Sequence, residues 1–272
     1  MRILFLGDIM GRSGREAVLR HLPHLKSALD PDIIIVNGEN AAAGFGITPD
    51  ICRELYSAGV DCITTGNHVW GQKDLVKTID KDPRLLRPLN YPEGTPGRGL
   101  VALEDRKGRK VVVASPQGRV FMDAVDDPFA TLDKALRPWP LGSAVQAIVV
   151  DIHAEATSEK MAMGHWLDGR VSLVVGTHTH IPTADTQILP KGTAYHTDAG
   201  MCGDYDSVIG MGKANCIERF LRKTPVERMA PADQEGTVCG VWVETDDKTG
   251  LALRAEPVRI GPRLMSHVPV RG

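Results

Sequence analysis

Two histidines that lie close together, His178 and His180, are the first residues whose type and spacing indicate chemistry. They follow the run 171–174, which predicts a buried strand, and Gly176 lets the chain turn after it. Side chains two positions apart on an extended chain project from the same face. Imidazole is a common ligand of divalent transition metals, so this pair predicts half of a metal site. A pair of solvated or helix-capping histidines would have the same spacing.

Polar residues also follow four other short apolar runs, at 2–6, 33–36, 60–64 and 146–152, each of which predicts a strand. These residues are Asp8, Glu39, Asn40, Asn67, His68 and His153. The carboxyl ends of the strands form the ligand crevice of an open α/β sheet, so we expect these side chains to converge with the two histidines. Each one alone has a plainer interpretation. The carboxylates could cap helices, the asparagines could hold turns, and His153 could be a hydrogen-bonded core histidine.

The combination of residue types indicates which metal ions the site would bind and which reaction these ions would support. Two carboxylates, three imidazoles and amide oxygens suit two borderline or hard divalent ions better than one structural zinc, which favours cysteine. A carboxylate between two ions can bridge them, and a hydroxide shared by both ions is a nucleophile at neutral pH. Paired ions about 3.5–4 Å apart are the usual apparatus for in-line attack at phosphorus.

The remaining elements form a regular α/β pattern. Apolar spacing and capping residues predict helices at about 14–29 (bent at Pro23), 48–58, 74–79, 129–136, 157–169 and 213–222. Two hairpins are expected, at 100–115 and at 237–258. No internal repeat, low-complexity tract or linker interrupts the pattern, so we predict a single α/β domain over residues 1–272.

Composition excludes several classes of partner. The chain of 272 residues is 42% hydrophobic and 24% charged, with a formal net charge of −2. Without a basic surplus or a polybasic run, binding to extended nucleic acid or to a membrane surface is not expected, whereas small substrates or short single-stranded nucleic acid fit. The first apolar run is too short for a signal sequence or a membrane span. Five widely spaced cysteines without a Cys-x-x-Cys motif indicate a reducing, cytoplasmic setting; of these, Cys202 lies in a Gly-rich turn.

Several segments together resemble a known family. They are Gly-Asp at 7–8, Asn-Gly-Glu-Asn-Ala-Ala-Ala-Gly at 37–44, Gly-Asn-His at 66–68, Asp-Ile-His-Ala-Glu-Ala-Thr-Ser-Glu-Lys at 151–160, Gly-Thr-His-Thr-His at 176–180, Asp-Ala-Gly-Met-Cys-Gly at 198–203 and Ser-Val-Ile-Gly at 207–210. In this order they resemble a calcineurin-like metallophosphoesterase of the YmdB-like branch. Two departures from the wider superfamily, Met10 in place of a metal-binding histidine and Glu39 at the usual position of a bridging aspartate, are typical of that branch.

The resemblance implies a four-layer α/β/β/α sandwich with a dimetal site at the strand ends. By position, the first metal would be held by Asp8, Glu39, Asn40 and His180, and the second by Glu39, Asn67, His153 and His178. His68 would be the catalytic residue that protonates the leaving oxygen or stabilises its charge; its alternative role is to orient a ligand. His196 and Asp198 are weaker candidates for supporting the ligands or the substrate loop.

The predicted function is that of a dimetal-dependent phosphodiesterase acting on small diesters, such as 2′,3′- or 3′,5′-cyclic nucleotides, by attack of a metal-bridging hydroxide. Two divalent or mixed-valence ions are expected, with iron or manganese favoured over zinc. Two alternatives stay open: a phosphomonoesterase, and a metal-containing regulator that binds a nucleotide or RNA with little turnover. The family often self-associates, so a homo-oligomer is compatible with the resemblance.

Overall fold

The computed structural model describes residues 1–222 and 229–270 of the chain. Its strands are β1 (Arg2–Leu6), β2 (Asp8–Ile9), β3 (Ile33–Asn37), β4 (Cys62–Thr64), β5 (Leu100–Glu104), β6 (Lys110–Ala114), β7 (Ala147–His153), β8 (Leu173–Thr177), β9 (Gln187–Ile188), β10 (Ala194–His196), β11 (Met201–Cys202), β12 (Val238–Thr245) and β13 (Ala252–Ile260). Its α-helices are α1 (Gly11–Leu29), α2 (Pro49–Ala58), α3 (Pro128–Leu136), α4 (Thr157–Leu167) and α5 (Lys213–Arg222). None of the helices in the described ranges is long and apolar enough to cross a membrane.

The first sheet has five strands in the order β13-β12-β1-β3-β4. Strands β1, β3 and β4 run parallel, with Leu4 opposite Ile34 and Val36 opposite Ile63. The terminal hairpin β12–β13 adds to β1 in antiparallel fashion. The three parallel strands are buried except at Arg2, and they consist of almost continuous apolar residues. Because they are parallel, they all end at the same edge.

The second sheet has six strands in the order β5-β6-β7-β8-β10-β9. Strands β6, β7, β8 and β10 are parallel, and the β5–β6 hairpin forms one edge. A short parallel pair, β2 with β11, places Asp8 opposite Met201. The expected hairpins are therefore present in both sheets.

Three apolar clusters show how these elements pack. One cluster contains residues of both sheets, among them Phe5, Ile35, Val113, Val149 and Val175, so a face of each sheet packs against the other. A second cluster joins α1 and α2 to the first sheet, and a third joins α3 and α4 to the second sheet. The protein is thus a mixed α/β fold with several sheets.

Some predicted boundaries were wrong. Helix α1 begins at Gly11 rather than Gly14, because Gly14 N donates to Met10 O and closes the first turn there. The segment 74–79 does not form an α-helix; it lies in 3₁₀ turns closed by bonds such as Thr78 N to Leu75 O. The polar strand ends belong to two sheets, since β1, β3 and β4 lie in the first and β7 and β8 in the second.

Candidate metal centre

All eight polar residues expected at the strand ends meet at the point where the two sheets converge. Asp8 begins β2, Glu39 and Asn40 follow β3, Asn67 and His68 follow β4, His153 ends β7, and His178 and His180 follow β8. The contacts that link them run from Asp8 to His178, from Glu39 and Asn67 to His153, and from Asn40 to both His68 and His180. The predicted convergence is therefore observed in the geometry.

Two overlapping groups within this cluster have the geometry of metal sites. Glu39, His153 and His178 form one, and Asp8, Glu39 and His180 form the other; in each group one ligand atom per residue lies within 4.8 Å of the others. Glu39 belongs to both groups and is completely buried. A carboxylate shared in this way is suited to bridge two cations.

Around Nε2 of His153, three electron-rich atoms converge. Oδ1 of Asn67 lies at 3.0 Å, Oε2 of Glu39 at 3.1 Å and Nδ1 of His178 at 3.1 Å. On the other side of the ring, Nδ1 of His153 lies 2.9 Å from Oγ1 of Thr177, whose hydroxyl donates to Asp151. This partner leaves Nε2 directed at the cluster, as metal-ligating imidazoles require.

In the second group, Asp8, Glu39 and His180, the imidazole is oriented in the same way. Nδ1 of His180 lies 2.8 Å from the carbonyl oxygen of Ile209, so Nε2 of His180 faces the cluster. Oδ2 of Asp8 accepts from the backbone N–H of His178 at 3.2 Å, but Oδ1 of Asp8 is buried and has no hydrogen-bond partner in the described part of the chain. Buried polar atoms are nearly always satisfied, so this oxygen fits a cation ligand. Together with the imidazole and carboxylate donors, it makes the site suitable for borderline divalent metals.

Burial and close charges shift the pKa values of these groups strongly. Burial raises the pKa of Asp8 to about 6, although His180 and His153 act against this shift. Burial would also raise the pKa of Glu39, but His153 lowers it well below its usual range. The pKa of His153 itself rises to about 9, because the charge of Glu39 outweighs the effect of burial. Burial, together with His153, lowers the pKa of His178 to about 3.

The prediction of an extended His-Thr-His segment was wrong. Strand β8 ends at Thr177, and His178 and His180 have left-handed backbone conformations, with φ of 99° and 67°. Such angles are strained in residues other than glycine and are typical of functional sites. The turn is held by Asp198, whose Oδ2 accepts from Thr179 N at 3.1 Å and from Thr179 Oγ1 at 2.6 Å. The histidines converge because of this turn and not because of strand periodicity.

Asp198 is in turn paired with Lys160. The Nζ of Lys160 donates to Asp198 Oδ2 at 2.7 Å, and both side chains are almost completely inaccessible to solvent. Asp198 thus holds the turn that carries His178 and His180. His196 is also buried, with its Nδ1 2.6 Å from Oγ1 of Thr186. It belongs to neither metal-ligand group found among the described residues.

His68 lies at the rim of the cluster. Its Nδ1 is 2.8 Å from Oδ1 of Asn40, and its ring packs edge-on against Phe45 at a centroid distance of 5.1 Å. With 36% of its side chain exposed, His68 is accessible to a substrate. The amide oxygen of Asn40 is thus engaged by His68, and the expected role of Asn40 as a metal ligand stays a prediction.

A buried polar network beneath the ligands was missed in the sequence. Asp151 accepts hydrogen bonds from Thr64 at 2.5 Å, from Thr177 at 2.7 Å and from Asn37 at 3.0 Å. The available signal was a carboxylate inside an otherwise apolar strand, which requires partners. The packing at Gly66 was missed as well: a Cβ there would lie 2.2 Å from both Glu39 Oε2 and His153 Nε2.

Cys202 has no contact with the cluster that would make it reactive. It is fully buried, and burial raises the pKa of its thiol well above the usual value. Its Sγ lies 3.5 Å from the carbonyl oxygen of Cys239. All five cysteines are free and buried.

The fold is mixed α/β, and one buried carboxylate at the strand ends is shared by two groups of candidate metal ligands. This combination is that of a metallophosphoesterase-type hydrolase. Comparison with known proteins makes the assignment specific. The model of the YmdB-like protein family matches residues 4–258, and the chain belongs to this family. This result confirms the resemblance identified in the sequence.

The relatives of the chain are similar over almost its whole length. It is 46% identical over 260 residues to a 2′,3′-cyclic-nucleotide 2′-phosphodiesterase of Bacillus subtilis, covering 96% of this chain and 97% of that protein. Among solved structures, it resembles a hypothetical protein from Thermus thermophilus (TM-score 0.89, 41% identity, 97% of this chain and 100% of the other). It also resembles a novel phosphatase from Mycoplasma pneumoniae (TM-score 0.89, 36% identity, 96% and 93% coverage).

Proposed function

We propose that this protein is a dimetal phosphodiesterase that hydrolyses 2′,3′-cyclic nucleotides. The relationship to phosphodiesterases and phosphatases places it among the phosphoric ester hydrolases. A 2′-phosphodiesterase activity breaks the bond between phosphorus and the 2′ oxygen, so the phosphate stays on the 3′ oxygen. The observation that carries the proposal is Glu39, whose carboxylate is common to both groups of metal ligands.

The chain's own residues hold the metals in two sets. Asp8, Glu39, Asn40 and His180 would hold one ion, and Glu39, Asn67, His153 and His178 would hold the other. When bound, two divalent ions supply Lewis acidity, which activates a water as nucleophile and neutralises charge on the phosphate. The nitrogen and oxygen donors fit iron or manganese, with zinc as the third possibility. Thr177 and Ile209 fix the orientation of two imidazole rings. Oγ1 of Thr177 contacts Nδ1 of His153, and the carbonyl oxygen of Ile209 contacts Nδ1 of His180.

His68 acts on the leaving group. Asn40 Oδ1 lies 2.8 Å from Nδ1 of His68, so in the imidazolium form the second proton is on Nε2. From Nε2, that proton passes to the 2′ oxygen as its bond to phosphorus breaks. Phe45, packed against the ring, restricts its orientation. His68 therefore is the proposed general acid.

The proposal also covers the layers of the fold, the location of the protein in the cell and its oligomeric state. The three apolar clusters support an α/β/β/α stack of layers within one domain spanning 1–272. A cytoplasmic location, consistent with five free cysteines, and a homo-oligomeric state are part of the same proposal.

The decisive experiment combines turnover with metal analysis. Purified protein, with its metals measured by elemental analysis, is incubated with 2′,3′-cyclic AMP, and the products are separated by chromatography. The wild type is expected to contain two ions per chain and to release the 3′-monophosphate. His68→Ala should retain both ions while kcat falls about 10²–10⁴-fold, the usual contribution of a general acid.

The control is His24→Ala, since His24 is exposed on α1. It should match the wild type in both measurements. Absence of diester hydrolysis by the metal-loaded wild type would overturn the proposal, and full turnover by Asn67→Ala would overturn the ligand assignment. Loss of both ions from His68→Ala would give that residue a structural role.

A phosphomonoesterase is the second candidate, because one similar structure is described as that of a phosphatase. The same assay separates the two activities: the rate with 2′,3′-cyclic AMP is compared with the rate with the 3′-monophosphate. A faster release of inorganic phosphate from the monoester would favour the second candidate.

A further inference from the structure

A cavity of about 660 Å³ opens directly beside the metal-ligand cluster. One side of it is formed by Glu39, Asn40, His68, His178 and His180. The rest of its described lining is mainly apolar: Met10, Phe45, Val208, Ile209, Met211, Cys216, Phe220 and Met229, with Gly44 and Arg219. Its volume lies in the range of about 300–1,000 Å³ that is typical of small-molecule sites.

Phosphoryl chemistry requires only the polar side of this cavity. The apolar side must therefore have another role. Phe220, on α5, is 80% exposed, and Ile209 is 52% exposed. Large apolar side chains exposed next to a polar centre mark a surface that a ligand covers. The ligand that bonds to the metal side through a phosphate must therefore carry an apolar, flat or bulky group on its other side.

Arg219 adds a cation to the same wall. It is exposed, lines the cavity and makes no ion pair or hydrogen bond within the described part of the chain. The other arginine near the end of α5, Arg222, is paired with Glu218 at 3.1 Å. A free guanidinium offers donors to the ring nitrogens and carbonyl oxygens of a heterocycle.

We propose that the α5 side of this cavity is a nucleobase subsite, in which Phe220 stacks on the base of the substrate and Arg219 binds the polar edge of that base. This inference rests on the proposed function, since the phosphate of the same nucleotide lies at the metal ligands. A base is the substituent whose π-face and polar edge match an aromatic side chain and a guanidinium together. The subsite makes the enzyme select nucleotides over other cyclic phosphodiesters.

The test compares substrates with and without a base. Glycerol 1,2-cyclic phosphate has the same five-membered cyclic diester as 2′,3′-cyclic AMP but no heterocycle. Phe220→Ala should raise KM for 2′,3′-cyclic AMP about 10-fold, the order expected for one stacking contact. The kcat for this substrate and both constants for the glycerol diester should stay within twofold. Arg219→Gln should raise KM for the nucleotide in the same selective way.

Leu221→Ala is the matched control, because Leu221 is the next residue on α5, is 73% exposed and does not line the cavity. It should behave as the wild type. A second readout is calorimetric binding of adenosine 3′-monophosphate, which should weaken in Phe220→Ala without any need for turnover.

These measurements distinguish failure of the proposed phosphodiesterase function from failure of the nucleobase subsite. If the wild type hydrolyses neither diester, the proposed function fails. If the wild type hydrolyses both and Phe220→Ala affects both equally or neither, the subsite is refuted while the phosphodiesterase activity stands. A selective rise in KM from Phe121→Ala instead would refute the α5 subsite as well, because Phe121 lines a different cavity with Asn67 and His178.

Discussion

Oε2 of Glu39 lies 3.1 Å from Nε2 of His153, although Glu39 follows a strand of the first sheet and His153 ends a strand of the second. Both side chains are completely buried. The candidate metal ligands can therefore come together only when the two sheets pack against each other. The site thus depends on the packing of the folded core.

Glu39→Gln should reduce the metal content from two ions to one or fewer. The substitution keeps the shape of the side chain but removes the charge that two cations would share. Elemental analysis of the purified variant measures the change, and Glu54→Gln, at an exposed position on α2, is the control. Retention of two ions by Glu39→Gln would contradict the bridging role.

Asp151→Asn should weaken metal binding about 10–100-fold, the usual effect of removing a group that orients ligands. Asp151 accepts from Thr177, which in turn holds the ring of His153. Activity measured against metal concentration should show a higher requirement, with most of the rate recovered at excess metal. An unchanged metal requirement would show that the network only stabilises the fold; Asp74→Asn, on the surface, is the control.

Gly66→Ala should abolish metal binding while leaving the secondary structure intact. The added Cβ would be placed 2.2 Å from Glu39 Oε2 and from His153 Nε2, so at least one of these ligands must move. Circular dichroism and elemental analysis together check this outcome. Gly212→Ala is the control, because the nearest atom to its Cβ lies 3.6 Å away. A Gly66→Ala protein with both ions would mean that the ligands can shift without loss of binding.

Lys160→Met should lower the melting temperature by about 10 °C, because loss of one partner from a buried ion pair costs about 3–5 kcal/mol. The remaining partner, Asp198, would be a buried unpaired charge. Adding Asp198→Asn should recover part of the loss. The exposed pair of Lys213 and Asp206 provides the comparison, and Lys213→Met should change the melting temperature by less than about 2 °C. Equal effects of the two lysine variants would refute the argument.

Stability should depend on pH through Asp32. Burial would raise its pKa, but hydrogen bonds from Arg2, Lys107 and Arg109 lower it from 3.8 to about 2. A lowered native pKa means that the stabilisation is complete above about pH 4 and disappears as pH falls towards 2. Allowing for solvent screening, Asp32→Asn should lower the melting temperature at pH 7 by about 2–4 °C. The difference from the wild type should shrink between pH 4 and 2; a constant difference would contradict this account.

The sequence was sufficient for most elements and for the set of polar residues that meet at the strand ends. Apolar runs that end in glycine and polar residues predicted β1, β3 and β4, and family motifs selected Asp8, Glu39 and His180. It was not sufficient for the geometry of His178 and His180, because their turn depends on Asp198, which lies distant in the sequence. Contacts between residues far apart in the sequence produce no periodic pattern of residue types from which such a turn could be predicted.

The same limit explains why Asp151 was not recognised. Its partners Asn37, Thr64 and Thr177 come from three different strands of two sheets, and only the packing of those sheets brings them together. The 3₁₀ turns at 73–81 were missed for another reason: Leu75 and Ile79, both buried in these turns, are spaced as on an α-helix.

The thiols of Cys52, Cys62, Cys202 and Cys239 are buried in the folded protein. Burial raises the pKa of Cys52 and of Cys239 to about 12, and raises that of Cys62 as well. Alkylating agents and peroxide attack the thiolate, which these residues scarcely form in the folded state. Alkylation of Cys52, Cys62 or Cys239 would therefore report that a molecule has unfolded.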